Sequence, residues 1–141
     1  MEESLILRIK EFLGNTDYIE NVSTDSELSE AEKELNVTLD DEYKFFVKNF
    51  GGCFVGLDIF ALKNSKNLEQ ITFIDLTKSF RKQGYPNMDN KYVISFDGSG
   101  NPICINSKGE VLLFDHDIGE YSKIANSVNK LISDNIWKSN F

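Results

Sequence analysis

Histidine occurs once in this sequence, at His116, and cysteine twice, at Cys53 and Cys104. With no CxxC pair, the thiolate and imidazole ligands that zinc prefers are too few for a metal site. Both cysteines have apolar neighbours, GCFV and PICI, where a thiol behaves as a small core side chain. Buried, reduced thiols are the expectation, although two interior positions leave a disulfide open. Long apolar runs are also missing: nothing approaches the roughly 20 residues needed to span a bilayer. The opening, MEESLILRIKEFLG, begins with two glutamates after the Met and interrupts its apolar stretch with Arg8 and Lys10. A secretory signal would show a basic start, an unbroken apolar run and a small-residue cleavage site. The expected compartment is the cytoplasm.

Basic residues are outnumbered. Fifteen Lys and Arg face 23 Asp and Glu, a formal net charge of -8. Such a surface has no excess cations to displace the counterions of nucleic acid or to hold anionic lipid, so neither is expected as a direct partner. The charge fits solubility alone, and it equally fits docking onto a basic protein. The 141 residues are 40% hydrophobic and 12% aromatic, enough for one ordinary core and too few for two good ones, so residues 1–141 read as a single domain.

Leu5, Ile6, Ile9, Phe12 and Leu13 recur at helical spacing, and Gly14 is placed to end that helix. Thr24 with Glu27, or Ser29 with Glu32, offers a capping-box start for a second helix that buries Leu28, Ala31 and Leu35. Asp40 or Asp41 can cap a third, whose stripe is Tyr43, Phe46, Val47 and Phe50. Gly51 and Gly52 stop it. CFVGLDIFAL, from Cys53 to Leu62, reads as a strand or strand pair with a bend at Gly56. Phe73, Leu76 and Phe80 mark a short helix before Gly84 and Pro86. Lys91–Phe96, Pro102–Asn106 and Val111–Asp115 then form a three-stranded antiparallel meander joined by Gly-containing turns. Ile124, Val128, Leu131 and Ile132 suggest a C-terminal helix packed on it. The expected fold is α+β: an antiparallel sheet packed with N-terminal helices and a C-terminal helix.

Chemistry-bearing motifs are scarce. The DGSG segment, Asp97 to Gly100, lacks the Lys and Ser or Thr of a phosphate loop and reads as a β-turn whose glycines supply positive φ. Asp115, His116 and Asp117 form the one cluster where catalysis can be argued, because flanking carboxylates orient an imidazole and favour its proton. Yet there is no GxSxG elbow, and Asp97, Asp115 and Asp117 lack the ligand spacing of an EF-hand. Asp and His bonding to backbone at a strand end is the simpler account. No catalytic residue, metal or cofactor is assigned. The run from Glu27 to Glu42 holds seven acids opposed only by Lys33. It is either a solvated helix face or a patch that steers a basic partner.

These pieces together resemble the SUKH superfamily, which includes the yeast Smi/Knr-type cell-wall regulators and many bacterial relatives. In SEAEKELNVTLDDEYKFFVKNFGG, Glu32 and Leu35 match the family's helix and Leu39 its Leu-Pro step. Tyr43 matches the aromatic, Phe46 and Val47 the hydrophobic pair, and Gly51-Gly52 the stop. In VISFDGSGNPICINSKGEVLLFDHD the match runs through Phe96, Asp97, Gly98, Gly100, Cys104, Val111, Phe114 and His116-Asp117. Two positions depart: Asp40 stands where Pro is usual, and Asn101 where Asp often follows the second Gly. The resemblance spans roughly Ser29 to Leu131. It implies an α+β fold and, for bacterial members, an immunity protein that neutralises a cognate toxin domain, often a nuclease. An intracellular scaffold of the same fold is the alternative, and an enzyme ranks third. The residues expected to meet a toxin are Asp97, Asp115, Asp117 and Glu120 around the meander's turns and exit. Glu30, Glu34, Asp41 and Glu42 form the competing patch.

Overall fold

A computed structural model describes residues 1–14 and 18–138. Its helices and two antiparallel sheets run in the expected α+β order, helices first and meander later. α1 (Glu3–Leu13) buries Leu5, Ile9 and Leu13, leaves Ile6 and Phe12 half-buried, and closes at Gly14. α2 (Asp25–Leu35) starts on the first of the two candidate boxes: Thr24 Oγ1 accepts the Glu27 N–H, and Glu27 Oε1 accepts the Thr24 N–H. Glu32 instead accepts the Leu39 N–H at 2.7 Å, which fixes the corner between α2 and α3 (Asp41–Asn49). Asp40, not Asp41, caps α3 by accepting the Glu42 and Tyr43 N–H groups. Tyr43, Phe46, Val47 and Phe50 are all buried.

CFVGLDIFAL folds as a strand pair, β1 (Cys53–Phe54) and β2 (Asp58–Ile59). Gly56 bends it at φ 96°, pressed so close to the Asn135 backbone that a Cβ would lie 2.3 Å from its carbonyl oxygen. α4 (Phe73–Lys82), capped by Thr72, leads into a four-stranded sheet. Its strands are β3 (Tyr92–Phe96), β4 (Pro102–Ile105), β5 (Val111–Asp115) and β6 (Glu120–Ala125), in that order, with α5 (Val128–Lys138) closing the fold.

β6 corrects the expectation of a three-stranded meander with Ile124 in the C-terminal helix. Val111 faces Ala125 and Leu112 faces Lys123, so Ile124 is the extra residue of a bulge, 41% exposed. Its helical spacing to Val128, Leu131 and Ile132 imitates a core position. The DGSG turn needs a second, smaller correction: Gly100 has positive φ (81°) but Gly98 does not.

The sheet is tied to the helices by polar bonds inside the core. Tyr43 Oη donates to the Phe60 carbonyl at 2.6 Å, and its ring meets those of Phe73 and Tyr92 at 5.3 and 5.5 Å. Thr77 Oγ1 donates to the Phe73 carbonyl and accepts the Val93 N–H, linking α4 to β3. A bulge at Ile94 leaves its carbonyl to accept the Phe60 N–H at 2.8 Å, which joins the small sheet's end to the meander. Cys53 and Cys104 are buried free thiols, both pushed up to about 12 by burial. They remain protonated and unreactive.

Candidate partner-binding surface

The two acidic groups named from sequence lie on different surfaces with different electrostatics. On the α2–α3 face the acids meet cations from inside and outside their run. Lys33, within it, meets Glu30 at 3.5 Å; from beyond it, Lys44 meets Asp41 at 3.8 Å and Lys78 reaches Glu34 from α4. Lys48 and Lys63 likewise sit against Asp25 and Glu27. Glu42 serves the fold instead, since its Oε1 accepts the Asn129 N–H at 2.9 Å, in the first turn of α5. A carboxylate there favours the positive end of the helix dipole. Exposed ion pairs of this kind contribute only about 0–1 kcal/mol each, but they blunt the face's negative potential.

Asp97, Asp115, Asp117 and Glu120 come together at one end of the meander, on the β3–β4 and β5–β6 turns. Asp115 faces Glu120 across the strand pair. Among the described residues, no lysine or arginine forms an ion pair with any of the four. Each turn is braced from within. Asp97 Oδ1 accepts the Ser99 and Asn101 N–H groups, both at 2.9 Å. Asp115 Oδ1 accepts the Asp117 N–H at 2.9 Å, and its carbonyl accepts the Gly119 N–H at 2.7 Å.

Buried Asn101 clasps one turn to the other. Its Nδ2 donates to Asp97 Oδ2 at 3.1 Å, and its Oδ1 accepts the His116 backbone N–H at 3.0 Å. Those two contacts fix the orientation of the amide, and His116 Nδ1 also faces Oδ1. His116 Nε2 lies 3.4 Å from Asp117 Oδ1. Burial raises the Asp97 carboxyl, but the Asn101 and Ser99 donors and nearby His116 outweigh it and hold it below the usual range. An Asp at position 101 could not make this bridge, since it would offer no donor to Asp97.

Neither Asn101 nor exposed Ile118 at the β5–β6 apex stands out as functional from sequence. For Asn101 the available signal is its departure from the family pattern; for Ile118 it is an apolar side chain inside a turn, DHDIGE. Among the described residues, no group of three or more His, Cys, Asp or Glu is arranged to hold a metal ion, and no helix is long and apolar enough to cross a membrane. A large groove, about 1030 Å³, lies at the meander's other end, between the α2–α3 corner and the β4–β5 turn. Its Glu32 and Asp40 carboxylates are already engaged by backbone N–H groups.

A helix-covered antiparallel meander with the two signature stretches at its α2–α3 corner and its turns defines a SUKH-type α+β domain. The family model described as SMI1-KNR4 cell-wall matches residues 3–138, and the chain belongs to that family. A similar protein is the SPbeta prophage-derived uncharacterized protein YokK of Bacillus subtilis (strain 168). It is 22% identical over an alignment covering 89% of this chain and 81% of the relative.

Proposed function

We propose that this chain is an immunity protein that binds and neutralises the toxin domain of a cognate secreted toxin, acting in the cytoplasm by stoichiometric occlusion rather than catalysis. The observation that carries this reading is the meander end, where Asp97, Asp115, Asp117 and Glu120 have, among the described residues, none of the lysine partners found across the α2–α3 face. A negative surface on braced turns, with His116 its one basic contact among the described residues, suits a basic concave partner, and a nuclease cleft that holds phosphates is one. Occlusion needs no cofactor, no direct nucleic-acid contact and no membrane. Family membership and a relative whose name places it in a prophage are consistent with this role. The cell-wall wording of the family description keeps the scaffold reading as the alternative.

The test is co-expression with the toxin domain encoded beside this gene. Growth should be restored, and purified toxin activity should fall linearly to zero at one equivalent of this protein. Protection at far below one equivalent would mean turnover and favour an enzyme. Recovery of cell-wall or signalling proteins, with no effect on any adjacent toxin, would favour the scaffold.

A further inference from the structure

Large apolar side chains that stand exposed include Leu7, Ile19, Phe54, Ile118 and Ile124. Single exposed apolar residues are ordinary, but Ile118 is placed unlike the rest. It occupies the apex of the β5–β6 turn at 67% exposure, between Asp117 and Gly119. The turn that presents it is held by the Asp115 side chain and carbonyl, with Gly119 at φ 72°. The Asn101 clasp through the His116 N–H ties it to the β3–β4 turn as well. Little conformational freedom is therefore left to lose when this side chain enters a partner, which is what makes an apolar contact effective in binding.

The same turn carries Asp115, Asp117 and Glu120; Asp117 Oδ1 lies 3.4 Å from His116 Nε2, and none of the three pairs with a lysine or arginine among the described residues. An apolar centre inside a charged rim is the anatomy of an interface hot spot. Charge complementarity sets the partner's chemistry: an apolar pocket whose rim carries lysine or arginine. Phosphate and anionic lipid are disfavoured by the same carboxylates. We infer that Ile118 is the anchoring contact of the toxin-facing surface, inserted into a cation-rimmed apolar pocket of the toxin domain. This rests on the immunity reading above.

The test uses the full chain and the adjacent toxin domain, purified in an inactive form, with dissociation constants from titration and rates from surface binding. Ile118→Ala should raise the dissociation constant by about tenfold or more, almost entirely through faster dissociation. Its melting temperature should match the parent's, because the side chain is exposed. Leu7→Ala, which removes a comparably exposed side chain from α1 (59%), should bind as the parent does. If the parent binds tightly and Ile118→Ala binds equally well, the anchor is wrong while the immunity reading stands. If the parent itself forms no complex, both fall.

Discussion

Asn101 Nδ2 donates to Asp97 Oδ2 at 3.1 Å while Asn101 Oδ1 accepts the His116 N–H at 3.0 Å, so one buried amide fastens two turns that are distant in sequence. Asn101→Asp would remove the donor and set a second carboxylate against Asp97. The expected loss of stability is about 1–3 kcal/mol, because a hydrogen bond to a charged group is lost and a carboxylate takes the buried position. The urea midpoint measures it. An unchanged midpoint would show that the clasp does not hold in solution.

Two aspartates carry opposite pH signatures. Asp97 is held below the usual carboxylate range, so its contribution to stability is present above its unfolded value of about 3.9 and fades as pH falls through the folded one. Asp40 is shifted upward: burial leads, the Tyr43 and Glu42 N–H groups oppose it, and neighbouring Glu42 and Asp41 reinforce it. Its contribution is therefore present below about 3.9 and lost as pH rises through its folded value. Asp40→Asn keeps a competent cap and removes that ionisation. It should be at least as stable as the parent at neutral pH, with the difference shrinking as the pH drops below about 3.9. Asp97→Asn should lose stability at neutral pH and converge on the parent in acid. Midpoints at a series of pH values separate the two signs.

Arg81 is a structural hub. Its guanidinium donates to the carbonyls of Leu35, Met88, Asp89 and Lys91 at 2.9–3.1 Å, joining the end of α2 to the loop that enters β3. Arg81→Ala should cost about 2 kcal/mol or more, because several charge-assisted bonds are lost together. Arg81→Lys should retain most of that loss, since a point ammonium cannot reproduce a planar fork. Full stability in the Lys variant would show that charge alone suffices.

The starts of α2 and α3, the Tyr43–Phe50 stripe, the β1–β2 hairpin and the first three meander strands are legible in the sequence because each announces itself locally, through a capping residue, a periodicity or a turn. β6 is not, because EYSKIA alternates weakly and its bulge places Ile124 outward. The Arg81 hub and the Asn101 clasp depend on residues brought together only by tertiary folding. The same limit governs the acidic patches. Along the chain, Glu27 to Glu42 looks strongly negative. Folded, that region receives Lys44, Lys48, Lys63 and Lys78, three of which lie outside helix pairing distance in sequence from their partners.

That redistribution of charge decides which patch should steer a basic partner. Asp117→Lys combined with Glu120→Lys changes exposed carboxylates that pair with no lysine among the described residues, and should slow association with the toxin domain by about tenfold at low salt. Glu30→Lys combined with Glu34→Lys alters carboxylates already paired with Lys33 and Lys78, and should change the rate less. Glu42 is unsuited to the comparison because it holds the start of α5, so reversing it would confound binding with stability. Steering acts over about a Debye length, roughly 10 Å at 0.1 M salt, so the parent's association rate should fall as salt rises. The Asp117/Glu120 variant should show a shallower salt dependence, and the Glu30/Glu34 variant the parent's slope. Were the helical-face variant the one to lose rate and slope, the contact surface would lie on α2 and α3. If neither variant changed them, the acidity would serve solubility, and recognition would rest on apolar contacts alone.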